Sequence, residues 1–434
     1  MEIRRYVIRR PLGAAIAALM LVQAAPGWAG QIDELEHKIE VLSEEVRKLK
    51  ASTVIPETVE LKSYYGLGPA APKVYSVERG LSIGGYGEFN FTDYDDSTKD
   101  DVTDFYRFVL YFGYKFNDWI VLNSEIEIEH ATDDNGTVAV EFAYLDFLLR
   151  PELNARAGLL LVPVGLINTL HEPIAYHGNM RPTVERQLIP STWRANGAGI
   201  YGQLTPSLSY QSYLVTSLLG SEFTESDLRD GRQKGSQEKS NDWSLVTRID
   251  YSPITALTVG GSAYIGDQGQ NVALIDADPD DASALGTVGA HMEMLEGHIE
   301  WKHRGIEARA LAVSVELDDA AILSAAKYED ATGKSVAKKM SGWYGEVAYN
   351  LMPHLNPSSD QYLAPWLRYS WIDSQDEVPA GFTANKDNER SVTELGLTYK
   401  PIPNVVLKLD YRDWSDKSGA GPSDEVRLGA GYVF

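Results

Sequence analysis

From Leu81 to Phe434 apolar and polar residues alternate in segments of roughly ten, bounded by turn-forming residues, and this period of two limits the fold more than any other property of the chain. Successive side chains on a strand point to opposite faces, so each segment has one greasy face and one polar face. In the first, Leu81, Ile83, Phe89 and Phe91 share a face with glycines, opposite Ser82, Tyr86, Glu88 and Asn90. In the second, Tyr106, Phe108, Leu110, Phe112, Tyr114 and Phe116 oppose Arg107 and Lys115. After an Asn117-Asp118 turn, Ile120, Leu122, Ile126 and Ile128 oppose Asn123, Glu125, Glu127 and Glu129. A soluble sandwich alternates as well. The connections separate the two.

Short turns at Asn117-Asp118, Pro151 to Asn154, Thr205 to Leu208, Ser252 to Ala256, Gly305 to Glu307, Pro353 to Gln361 and Pro401 to Asn404 take turns with polar, mostly longer and acidic loops. The loops run Tyr94 to Thr103, Ala131 to Gly136, Gly165 to Asn196, Gly220 to Asp242, Asp267 to Gly286, Asp318 to Ser341, Asp373 to Arg390 and Ser415 to Ser423. Short turns at one end and long loops at the other mark a transmembrane antiparallel β-barrel, here of about sixteen strands, with both chain ends on the short-turn side. Lipid offers no hydrogen-bond partners, so such a sheet must close on itself. The last segment, Val426, Leu428, Ala430, Tyr432 and Phe434, ends on phenylalanine. Bacterial outer-membrane proteins typically end this way, a resemblance that implies recognition of Phe434 by the barrel-assembly machinery.

Ahead of the barrel, residues 1–29 read as a secretory signal peptide: Arg4, Arg5, Arg9 and Arg10, then a small apolar stretch from Pro11 to Ala25, then Gly27 and Ala29. Residues 30–52 carry Ile32, Leu35, Ile39, Leu42, Val46 and Leu49 in steps of three and four, the seam of a short periplasmic coiled coil. A single amphipathic helix is the alternative. About three heptads are marginal alone, so barrel contacts should decide the oligomer, expected to be a homotrimer. Residues 53–80, with Pro56, Gly66, Gly68, Pro69 and Pro72, form a linker that could enter the barrel.

The formal charge is −23, and removing the signal's net +3 leaves the remainder near −26. Such a chain repels a phosphate backbone, so nucleic acid is not an expected partner. The acids fit outer loops facing calcium or lipopolysaccharide, and outer-membrane lipid is the expected surrounding. With no cysteine, disulfides and thiolate-held metals are excluded. No cofactor is expected.

The loop from Gly165 to Asn196 departs from its neighbours. It is rich in proline, arginine and apolar residues, as an ordered loop folded into a barrel would be. Gly84-Gly85-Tyr86-Gly87-Glu88, the run from Gly165 to Gly199 and the strand count resemble the phosphate-selective porin O and P family and its broader relatives. The resemblance spans residues 64–434. It implies a water-filled channel for small hydrophilic solutes, anions such as phosphate among them, narrowed by the third long loop. The constriction candidates are then His171, Glu172, Arg181, Arg186 and Arg194. Lumen-facing charges would be Arg107, Lys115, Arg156, Arg248, Arg368, Lys408 and Arg412, against Glu125, Glu127, Glu129, Glu346 and Asp250. Any one inward arginine is more simply a salt bridge along the wall.

Two other classes find some support in the sequence. His171 with Glu172, or His130 with nearby acids, could form a catalytic pair, but no serine stands in a convincing setting beside either. His291, His298 and His303 could hold a metal with Glu296 and Glu300, yet they read more simply as polar lumen residues. Neither an enzyme nor a metal site is expected. The alternative to a channel is a structural barrel with a closed lumen, anchored through its coiled coil. Mass spectrometry of the outer-membrane protein should find a mature chain beginning near Gly30; a retained leader would overturn the signal-peptide reading.

Overall fold

The computed structural model describes residues 38, 41, 67, 70–96, 98–132, 136–271, 288–328, 333–419 and 421–434. The chain divides into two units, Met1–Glu60 and Leu61–Phe434, and the second contains everything below. The signal peptide and the coiled coil lie outside the described residues, Lys38 and Val41 excepted.

Sixteen strands form one closed antiparallel barrel in chain order. They are β1 (Gly80–Tyr94), β2 (Val102–Lys115), β3 (Ile120–Glu129), β4 (Val138–Arg150), β5 (Leu153–Leu161), β6 (Arg194–Thr205), β7 (Leu208–Thr216) and β8 (Trp243–Ile254). The second half comprises β9 (Leu257–Asp267), β10 (His291–His303), β11 (Ile306–Leu317), β12 (Lys339–Tyr349), β13 (Tyr362–Glu377), β14 (Glu389–Ile402), β15 (Val405–Asp416) and β16 (Glu425–Val433). The ring closes where β1 meets β16 in register from Tyr86↔Val433 to Tyr94↔Glu425. Gly85 and Phe434 exchange backbone bonds of 3.0 and 2.9 Å just beyond that register. The expected short turns and long loops each separate consecutive strands, although β13 runs on to Glu377, and β6 and β12 begin at Arg194 and Lys339, inside expected loops.

The two faces also sort as the alternation requires. Leu81, Ile83, Phe89, Phe91, Tyr114, Leu428 and Phe434 point outward, while Glu88, Asn90, Arg107, Glu125, Glu127 and Arg427 are buried inside. An outer apolar surface of this extent is what a barrel presents to hydrocarbon.

Part of the linker occupies the lumen at the short-turn end. Leu67, Ala70, Ala71 and Val74 are buried there, with a short helix α1 (Lys73–Ser76). Asn123 donates to Ala71 O at 3.1 Å and Lys115 to Val77 O at 2.9 Å. Val74 sits over Gly113 of β2, where an added Cβ would lie 2.4 Å from the valine Cβ. Gly113→Ala should therefore push α1 off the wall at a cost of about 1–3 kcal/mol, the usual range for overpacking. Protease should then cut between residues 61 and 80 while the barrel keeps its folded migration on gels; unchanged protection would refute the seating.

Candidate functional site: the constriction loop

One long connection, residues 162–193 between β5 and β6, turns inward and fills the middle of the barrel. Its apolar residues give it a core of its own: Val162, Val164, Leu166, Ile167, Leu188, Ile189 and Trp193 are almost wholly buried. Asn168 ties the base, donating to Val162 O at 2.7 Å and Trp193 O at 2.9 Å and accepting from Trp193 N at 2.6 Å. A helix α2 (Thr183–Gln187) carries Glu185, which accepts from Ile167 N and from Tyr344 of the wall, each at 2.6 Å. At two points glycines of the wall make room for the loop. A Cβ on Gly429 would stand 2.1 Å from Asn179 Oδ1, and one on Gly431 2.6 Å from Pro173 Cβ.

Wall cations then reach across to the loop's own carbonyls. Lys400 donates to Ile174 O at 2.9 Å, Arg309 to Ala175 O at 3.3 Å, Arg368 to His177 O at 2.6 Å and Lys408 to Gly178 O at 2.8 Å. Arg248 donates to Gly165 O. These carbonyls belong to no sheet, so each needs such a partner once buried.

Three of these cations, Arg248, Arg309 and Arg368, are also paired with carboxylates along the wall. Five pairs of residues directly opposite each other in register join β11 to β16: Arg309–Glu346 at 3.0 Å, Glu346–Arg368 at 2.6 Å, Arg368–Glu394 at 3.0 Å, Glu394–Arg412 at 2.9 Å and Arg412–Glu425 at 2.6 Å. Arg427 extends the belt from Glu425 at 2.8 Å. Elsewhere Arg107 pairs with Glu88 and Glu127, Arg156 with Asp146, and Arg248 with Asp250. The expected inward charges thus do face the interior, largely as wall salt bridges. Lys115 holds Val77, Lys408 lies 3.9 Å from the Tyr176 ring centroid, and Glu129 accepts from Thr137 at 3.2 Å.

The five constriction candidates divide. Arg194 is not in the loop: residues 194–196 pair with Leu161, Leu160 and Leu159, so the connection ends at residue 193, and Arg194 bonds Glu141 at 2.8 Å. Pairing of the last residues of β5 with the start of β6 extends the sheet further than composition suggested. His171 and Glu172 do not act together. Glu172 accepts from Ala70 N at 2.8 Å and Ala71 N at 3.2 Å, whereas His171 faces Glu125 and Glu141. His291 and His303 have the outward parity of β10 and His298 the inward one, so those three histidines share no site. His130 pairs with Asp104 at 2.7 Å near the long-loop end.

Arg181 and Arg186 differ from every buried wall arginine. Neither has a carboxylate partner among the described residues, and Nε and Nη2 of buried Arg181 have no hydrogen-bond partner at all. Both line two adjoining cavities on the long-loop side of the constriction, together with Arg229, Met180 and, on one side each, Tyr106 and Trp414. Glu129 and Asp227 are the acids facing these cavities that have no arginine pair.

Arg229 comes from the loop 217–242, which sequence reasoning treated as a solvated outer loop. It instead packs on the constriction loop. Arg229 donates to Arg186 O at 2.9 Å, and Arg232 to Pro190 O at 3.0 Å and Thr192 O at 2.9 Å. Burial, then the neighbouring Arg186 and Arg181, push the Arg229 guanidinium down to about 10. The available signal was Phe223 and Leu228, two large apolar residues in a polar stretch, both fully buried.

No family model matches the chain. An uncharacterized protein of Aquifex aeolicus (strain VF5) is 38% identical over 401 residues, 89% of this chain and 87% of that protein. Among solved structures, Salmonella typhi OmpF in complex with daunomycin aligns at TM-score 0.54 and 13% identity, over 82% of this chain and 98% of that one. The outer membrane channel DcaP of Acinetobacter baumannii aligns at TM-score 0.51 and 14% identity, over 82% and 97%. A loop-deletion mutant of the Vibrio cholerae outer membrane protein OmpT aligns at 0.53 and 10%, over 82% and 100%. The barrel shares its fold with these outer-membrane proteins.

Arg368, fully buried, holds two carboxylates and a loop carbonyl. Arg368→Met should cost about 3 kcal/mol or more, because it strands charges inside the wall. Lys338→Ala, which breaks an exposed pair with Glu377, should leave stability almost unchanged, because water screens the pair. Urea unfolding in lipid vesicles reads both; equal costs would show that the belt is not structural.

Proposed function

We propose that this chain, which belongs to one family with the Aquifex aeolicus protein, forms a water-filled outer-membrane pore for passive diffusion of small hydrophilic solutes, with a preference for anions. One observation carries the anion preference. Arg181, Arg186 and Arg229 converge at the constriction without carboxylate partners among the described residues, whereas the buried wall arginines are all neutralised. A narrow passage between low-dielectric walls magnifies unpaired charge. Acids on the outer loops are screened beyond about 8 Å, so the chain's negative total does not set the field at the constriction.

The resemblance to phosphate-selective porins supports phosphate as one such anion. The homotrimer, lipopolysaccharide contact and recognition of Phe434 by the barrel-assembly machinery belong to the same reading. The linker seated in the lumen favours a second reading, a closed structural barrel anchored through its coiled coil. Planar-bilayer recordings separate the two, since a closed barrel passes no steady current. Replacing Arg181, Arg186 and Arg229 by glutamine should move the reversal potential in a salt gradient toward that of cations. If reversal potential and single-channel conductance both stay unchanged, these arginines do not line the path.

A further inference from the structure

Two buried histidines inside the barrel stand between pairs of carboxylates, and they are built differently. His298 places Nδ1 2.7 Å from Glu296 and Nε2 2.8 Å from Asp250, one short bond for each ring nitrogen. An imidazolium satisfies that geometry fully. His171 instead turns Nδ1 to the carbonyl of Asn168 at 3.0 Å. A carbonyl only accepts, so Nδ1 carries the proton. Its single remaining nitrogen, Nε2, faces both Glu125 Oε1 at 3.2 Å and Glu141 Oε2 at 3.4 Å. One N–H cannot serve two carboxylates.

Both acids are fully buried, and Glu125 Oε2 and Glu141 Oε2 have no hydrogen-bond partner. The other oxygen of Glu141 is held from behind by Thr192 and by Arg194 at 2.8 Å, which aims Oε2 at the histidine. Arg194 pairs with Glu141 alone, and Arg181, near enough to act on both acids, makes no ion pair with either among the described residues. The three ligand atoms lie within 4.8 Å of one another. Ligands at about 2.0–2.2 Å from a shared ion stand roughly 3.3 Å apart, close to the two distances found here. A histidine whose far nitrogen donates to a backbone carbonyl, and a carboxylate oriented by outer hydrogen bonds, are how proteins pre-set metal ligands.

We propose that Glu125, Glu141 and His171 bind a divalent first-row transition cation of the Zn2+ type, for which imidazole and carboxylate are suitable donors. The cation fastens the constriction loop to β3 and β4. On the β11–β16 side of the lumen the wall offers cations to the loop's carbonyls. On the β3–β4 side it offers two acids to one imidazole nitrogen, and a shared cation completes that contact.

The test uses the full-length protein in detergent, stripped with chelator and titrated with Co2+ and then Zn2+. One equivalent of Co2+ per chain should bind with visible d–d bands, and Zn2+ should displace it. His171→Ala, Glu141→Gln and Glu125→Gln should each weaken binding by at least about 100-fold, more than the loss of an outer hydrogen-bond partner costs. His298→Ala should leave it unchanged. Folded migration on unheated gels checks each variant, and the isosteric glutamines stand in should His171→Ala not fold. Absence of tight stoichiometric binding by the wild-type protein would overturn the proposal, as would binding that survives both glutamine variants or is lost only in His298→Ala.

Discussion

An irregular backbone buried at the centre of a barrel must find partners for its carbonyl groups, and the rest of this structure follows from how it does so. The constriction loop has almost no regular structure, so its oxygens cannot bond one another as in a strand or helix. Arg248, Arg309, Arg368, Lys400 and Lys408 supply donors from the wall. Non-helical backbone is tolerated at membrane depth where it is enclosed by protein or lines a cavity. The wall's cations are therefore first of all scaffolding, and the charge of the three arginines is cancelled by carboxylates beside them.

That cancellation also fixes how the strands align. From Arg309 to Glu425 the belt alternates in sign across six strands, each pair directly opposed. A slip of one residue between two strands would turn one partner to the lipid face, where a charge is costly. The belt thus reinforces what the outward apolar side chains already specify. Arg181, Arg186 and Arg229, which the two packed loops contribute, stand outside it.

The architecture was legible in the sequence because a period of two needs no knowledge of partners. Outward Phe89 and inward Glu88 are distinguished by parity alone, and turn residues mark the strand ends. The inward-folded loop was legible from its apolar and proline content, since a solvated loop has no use for a core such as Leu166, Leu188 and Trp193. Pairings were not legible. Arg368 meets Glu346 and Glu394 only through the register of three strands, and His171 meets Glu141 only through the loop's path back to the wall. Arg194 was misplaced because composition does not reveal where β6 begins. Arg229 was missed because a charged loop looks the same in sequence whether it extends into water or folds back onto its neighbour.

The constriction loop also touches both sides of the joint where the chain's ends meet. Tyr176 donates to Glu88 of β1 at 3.3 Å, while Asn179 donates to the Arg427 carbonyl of β16 at 3.3 Å. Pro173 rests against Gly431 beside it. A ring made from a linear chain is weakest at its joint, because only there do the paired strands lack a connecting turn. Here a segment from the middle of the chain braces that joint from within, so fraying of the last strand means undocking the loop as well. The ring's joint and the packing of its interior are thereby held by the same thirty-odd residues of the chain, and neither can drift without the other.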